Sequence, residues 1–137
     1  MVEIDLTYEG ELRCDAVHGP SGVHVQTDAP KDNEGKGESF SPTDLVATAL
    51  GTCMATIMGI YARRKEIPIE GMKVKVGKVM STDAPRRIIR LETIIDVPIS
   101  SSHPEISALE RAAHSCPVHQ SLASEMEKPI TFKYSEA

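Results

Sequence analysis

Residues 41–65, SPTDLVATALGTCMATIMGIYARRK, decide the architecture. Ser41 offers an N-cap, Pro42 suits the first helical position, and Asp44 places an acid at the third. Leu45, Val46, Ala49, Leu50, Cys53, Met54, Ile57, Met58 and Tyr61 then recur at helical spacing. Glu66-Ile67-Pro68 stops the helix near Lys65, because a residue before proline avoids helical geometry. The opposite face carries Ala, Thr and Gly where a surface helix would carry charge. With so little polar surface, the helix is expected to be buried on most sides. Small residues at Ala47, Gly51, Ala55 and Gly59 leave room for another backbone. At roughly 33 Å, this is a central helix wrapped by other elements.

Upstream, residues 2–8, 11–17 and 23–27 read as three short strands. Their turns fall around Tyr8-Glu9-Gly10 and His18-Gly19-Pro20-Ser21-Gly22, which favours an antiparallel meander. Residues 28–40, DAPKDNEGKGESF, form a charged surface loop of the kind that often carries function. Downstream, Met72–Met80 and Arg87–Val97 alternate as a long hairpin across Thr82-Asp83-Ala84-Pro85. Ile89, Leu91, Thr93, Ile95 and Val97 are expected to face inward. A helix begins near Pro104 and breaks at Pro117, a short helix follows through Met126, and 129–135 form a last strand. The order βββ-α-ββ-αα-β reads as α+β.

The 137 residues suit one domain, 1–137. With 40% hydrophobic and 26% charged residues, disorder throughout is excluded. A net charge of −5, no Trp and only two Phe and three Tyr argue against nucleic acid as a partner. The acidic start, Met1-Val2-Glu3-Ile4-Asp5, does not read as a signal peptide. Leu45–Ala62 is interrupted by Thr48, Gly51, Thr52, Thr56 and Gly59, short of the ~20 strongly apolar residues of a membrane span. A soluble, cytoplasmic protein is expected, with no membrane partner.

Three cysteines, Cys14, Cys53 and Cys116, are odd in number and widely spaced, unlike a disulfide-stapled secreted domain. Cys53 lies on the apolar stripe of the long helix, as inert packing or as a thiol awaiting a partner. Cys116, in Ser115-Cys116-Pro117-Val118-His119, precedes a proline that opens a helix, where the dipole and free N–H groups favour thiolate. His114 and His119 add positive charge nearby, although a Cys-Pro kink between packed helices is the plainer reading. Cys116-x-x-His119 and Cys14-x-x-x-His18 have zinc-like spacings that His114 and Cys53 would complete, but Cys53 is embedded in a long apolar helix and no tight pair of Cys-x-x-Cys motifs exists. We expect no metal and no cofactor. Arg13 is a strand residue before a turn, of interest because a guanidinium can hold a thiolate and orient a peroxide oxygen. His18, His24 and His103 read as surface or capping residues. Gly35-Lys36-Gly37-Glu38 lacks phosphate-loop spacing.

As a set, Thr27-Asp28-Ala29-Pro30, Gly35-Lys36-Gly37, Ser41-Pro42-Thr43-Asp44-Leu45 leading to Gly51-Thr52-Cys53, and Cys116-Pro117-Val118-His119 resemble the OsmC/Ohr family. These are the osmotically inducible and organic-hydroperoxide-resistance proteins, and the match covers essentially the whole chain. The resemblance implies an intertwined homodimer in which antiparallel sheets of both chains wrap two central helices. It also implies a thiol-dependent peroxidase in the oxidative stress response, with Cys53 peroxidatic, Cys116 resolving and an external dithiol as reductant. The family's arginine falls on Arg13. Its helix-start glutamate falls on Thr43, a departure from the pattern, and Asp44 points roughly 100° away around the helix. His119 and His114 are possible supporting groups.

Three functions are therefore expected in descending order. The first is reduction of organic hydroperoxides, with hydrogen peroxide less favoured because Leu50, Met54 and Ile57 surround Cys53 in sequence. The second is a non-catalytic thiol sensor or apolar-ligand-binding protein on the same fold. The third is thiol acyl transfer with His114 or His119 as base.

Overall fold

The computed structural model describes residues 1–136. Nine strands and α-helices follow in the expected order: β1 (Ile4–Gly10), β2 (Arg13–His18), β3 (His24–Asp28), α1 (Pro42–Lys65), β4 (Lys73–Met80), β5 (Ile88–Val97), α2 (Ile106–His114), α3 (Pro117–Ser121) and β6 (Ile130–Tyr134), with a short 3-10 turn at Lys31–Asn33 before α1. They form two three-stranded sheets, β1-β2-β3 and β4-β5-β6. The chain divides into two compact units, Met1–Val46 and Ala47–Ala137, described separately below.

In the first unit the meander is antiparallel throughout, with Tyr8 opposite Cys14 and Arg13 opposite Asp28. The first turn falls two residues later than expected. Glu11 and Leu12 both take positive φ, 56° and 62°, which matches the twist of a two-residue hairpin and sets Arg13 at the start of β2. The loop after β3 is tightly organised. Asp28 N–H donates to the Phe40 carbonyl at 3.0 Å, Ala29 N–H to Leu12 at 3.2 Å, and Gly37 N–H to Ala29 at 3.2 Å. Gly35 is required here, since a Cβ would lie 1.8 Å from the Ala29 carbonyl oxygen. At the start of α1, Asp44 N–H donates to Ser41 Oγ at 3.1 Å and Ser41 N–H donates to the Asp44 carboxylate at 2.9 Å. This reciprocal capping box is the helix start legible in Ser-Pro-Thr-Asp.

In the second unit, Leu50, Met54, Met58, Leu91, Ile95, Val97, Leu109 and Ala113 are wholly buried. Gly51 lets α1 meet β4 closely: a Cβ there would lie 2.9 Å from Val76 and 3.3 Å from Val74. No comparable approach occurs at Gly59. By length and composition alone α1 would cross a membrane, contrary to the expectation from Leu45–Ala62. Its buried stripe of Leu50, Met54 and Met58 identifies it instead as a core helix. The burial is one-sided within the chain, for Thr48, Thr52, Thr56 and Ile60 are exposed.

Three expectations need correction. The β4-β5-β6 sheet is mixed: β4 and β5 are antiparallel, but β6 runs parallel to β5, Thr93 opposite Ile130 and Val97 opposite Tyr134. The crossover through α2 and α3 supplies the length a parallel return requires. Ile89 is exposed, because the register shifts between Val79 and Met80 just where Ile88 begins its pairing. The last short helix ends at Ser121 and not Met126, since Leu122 takes an extended conformation, ψ 154°.

Candidate functional site

The middle of α1 and the start of α3 bring two thiols together. Cys53 is half-buried on α1, between the buried residues Leu50 and Met54. Cys116 is 0% exposed and caps α3, its Sγ accepting the His119 N–H at 3.3 Å. Pro117 follows at the first helical position, so the cap forms as the sequence indicated. The Cys116 thiol is hydrogen-bonded to Cys53.

The electrostatics differ from expectation at one point. Burial pushes the Cys116 thiol up, above its ordinary range, and contact with Cys53 pushes it further in the same direction. The N–H groups of His119 and Val118 oppose this and lose. A helix N-terminus of five residues offers less to a thiolate than burial takes away. Cys116 is therefore held as a neutral thiol, fitted to donate to Cys53.

His114 and His119 meet edge to face with ring centroids 6.2 Å apart, and His114 lies 6.2 Å from the Phe132 ring. Burial, with Lys128 and His114 nearby, lowers the His119 pKa, so its ring is neutral at pH 7. Positive charge beside Cys116 is accordingly not supplied by His119. Among the described residues, no three His, Cys, Asp or Glu side chains converge as metal ligands.

Arg13 belongs to the first unit, where it faces two carboxylates. Its Nη2 lies 3.6 Å from the Asp28 carboxylate and pairs with Glu38. Asp28 is 1% exposed and accepts the Glu38 backbone N–H at 3.0 Å. The sequence shows Asp28 within the Thr27-Asp28-Ala29-Pro30 motif and Glu38 within the glycine-containing loop, but not their pairing with Arg13. The strand register could have found Asp28, which stands directly opposite Arg13; Glu38 is brought back by the folded loop and left no local signal. Thr43 contacts Ser41 through a 3.2 Å hydroxyl pair, and Asp44 holds the Ser41 N–H in the capping box. The helix-start carboxylate thus serves the helix. Of the remaining histidines, His18 bonds Ser21, His103 accepts the Glu105 N–H as a cap, and His24 pairs with Asp15.

A model of the family described as OsmC-like protein matches residues 35–131. The chain belongs to that family. It is 41% identical to a solved protein of Psychrobacter arcticus 273-4 named for an osmotic stress induced and detoxification response, with 96% of each chain covered and a TM-score of 0.90. The organic hydroperoxide resistance protein OhrB of Bacillus subtilis shares the fold at 14% identity, TM-score 0.69, covering 97% of this chain and 98% of that one. An OsmC-like protein of Mycoplasma pneumoniae does so at 19% identity, TM-score 0.78, covering 98% and 97%. No curated protein matches the chain.

Proposed function

We propose that this chain is a thiol-dependent peroxidase that reduces organic hydroperoxides. The observation that carries the reading is the contact between a half-buried Cys53 and a wholly buried, neutral Cys116. The Cys53 thiolate attacks the distal peroxide oxygen, the O–O bond breaks, and the alkoxide leaves as an alcohol after taking a proton. Cys53 is now a sulfenic acid. Cys116 attacks its sulfur, a disulfide forms, and water departs. An external dithiol restores both thiols by exchange and is itself oxidised to a disulfide. Carried over from the family's pattern, Arg13 orients the peroxide. Assembly as a cytoplasmic homodimer belongs to the same reading. One apolar face of the first sheet, with Ile4, Leu6, Tyr8 and Val25 exposed, is a surface that a second copy would cover.

The test is steady-state dithiol oxidation with cumene hydroperoxide, comparing the protein with Cys53→Ser. Turnover is expected to fall at least about 1,000-fold in the variant with the circular dichroism spectrum unchanged. Retained turnover would contradict the assignment. The use of Asp44 in the capping box favours one alternative, a thiol sensor whose disulfide forms stoichiometrically without rapid cycling. Sustained peroxide consumption by the unmodified protein excludes that alternative.

A further inference from the structure

No step of the peroxide chemistry uses the histidine pair beside Cys116. Helix α3 is five residues long, too short to hold its position by its own hydrogen bonds. Contacts with its surroundings must anchor the turn that carries the resolving thiol, and two of them run through His119. Its backbone N–H donates to Cys116 Sγ at 3.3 Å. Its half-buried ring meets His114 of α2 edge to face, with centroids 6.2 Å apart. His114 in turn lies 6.2 Å from the ring of Phe132 on β6. A third contact, from Gln120 Nε2 to the His114 carbonyl at 3.0 Å, is exposed. Lys128 acts on the His119 ring from the segment before β6. Its ammonium is fixed there by the carbonyls of Ala123 at 3.1 Å and Met126 at 2.8 Å. Among the described residues, Lys128 and His114 are the charged or titratable groups facing the ring, and α1 contributes Cys53 through Cys116.

We propose that His119 is the positioning residue for Cys116: its ring, seated on His114, holds the resolving thiol within reach of Cys53, and charging that ring releases the hold. The proposal rests on the reading of Cys116 as the resolving thiol and concerns closure of the disulfide, not attack on the peroxide. A neutral imidazole packs against its neighbours without electrostatic cost. An imidazolium loses hydration in the half-buried site and meets the fixed ammonium of Lys128. It turns outward and takes the first turn of α3 with it. Closure is therefore acid-sensitive beyond the ordinary loss of thiolate.

The experiment isolates closure with dithiodipyridine in full-length Cys14→Ser. Half-buried Cys53 attacks the reagent first, forming a mixed disulfide and releasing one thiopyridone. Cys116 then attacks the Cys53 sulfur and gives its proton to solvent. The protein disulfide forms, and a second thiopyridone leaves with the electron pair, its absorbance reporting the closure rate. Loss of this second phase in Cys116→Ser assigns it. Dividing the parent's rate by that of His119→Phe, which keeps a ring and cannot be charged, cancels the titration of Cys116 itself. The ratio is expected to be constant at neutral pH and to fall severalfold through mildly acid pH. At neutral pH, His119→Ala should close about tenfold more slowly for want of one ring contact, and His119→Phe should stay within about threefold of the parent. Lys128→Met should move the fall to higher pH, since the imidazolium then meets no ammonium. A ratio that stays flat or rises in acid, His119→Phe as slow as His119→Ala, or a fall that Lys128→Met leaves in place would each overturn the proposal. Closure behaving as predicted, with no turnover of cumene hydroperoxide, would sink the peroxidase reading alone.

Discussion

The thiol pair and the arginine cluster are built by opposite means. Cys53 and Cys116 are held by core packing: Leu50 and Met54 flank the first, Ala113 precedes the second, and all three neighbours are wholly buried. Arg13 is held by charges and a hydrogen-bonded loop, with its own side chain 38% exposed. A packed core is close to rigid, because displaced side chains have nowhere to go. A partly solvated charge cluster can exchange partners. The two thiols are thus fixed in mutual contact, while the arginine's surroundings are adjustable.

The comparison can be broken first on the packed side. Met54→Ala should cost about 3 kcal/mol by denaturant unfolding, with a loss of disulfide yield, since Cys53 sits on the same turn. A loss below about 1 kcal/mol would mean that the core around the thiol collapses to fill the gap. On the charged side, Arg13→Lys should lower kcat/KM for cumene hydroperoxide about 100-fold and leave the melting temperature unchanged. Lysine keeps the charge and loses the planar fork. Ser41→Ala removes the Oγ half of the reciprocal cap and should cost about 1 kcal/mol, a smaller effect confined to the start of α1.

The finest distinction is in pH. His119 has a lowered pKa in the fold, so below about pH 6.5 the unfolded chain takes up a proton that the folded chain refuses, and stability falls as the pH drops. Cys116 has a raised pKa, so above about pH 8.5 the unfolded chain releases a proton that the folded chain keeps, and stability falls as the pH rises. Urea midpoints across this range should show a plateau between those limits. His119→Gln should flatten the acid side, and Cys116→Ser the alkaline side.

The sequence made the thiol region readable because its signals are local. The capping residues, the helical spacing through Cys53, and Pro117 after Cys116 each act within a few positions, and all nine elements follow the expected order. What escaped was set by pairing across distance. The parallel return of β6 depends on how far α2 and α3 carry the chain, and no residue in Ile130–Tyr134 records its direction. The exposure of Ile89 follows from a bulge in the β4–β5 pairing, in which Ile89 itself is the extra, unpaired residue. The pairing of Asp28 and Glu38 with Arg13 became visible only when the meander put one opposite it and the loop carried the other back to it. The effect of burial on Cys116 was likewise hidden, since helix-terminus chemistry is local and desolvation is not.

The most direct test of the central claim is intact and peptide mass analysis after one equivalent of cumene hydroperoxide. The account predicts loss of the mass of two hydrogens in the unmodified protein, mapped to a Cys53–Cys116 disulfide, with Cys14 still free. In Cys116→Ser it predicts gain of a single oxygen on Cys53. Oxidation confined to Cys14, or no reaction at either core thiol, would contradict the account and leave the Cys53–Cys116 contact as packing alone.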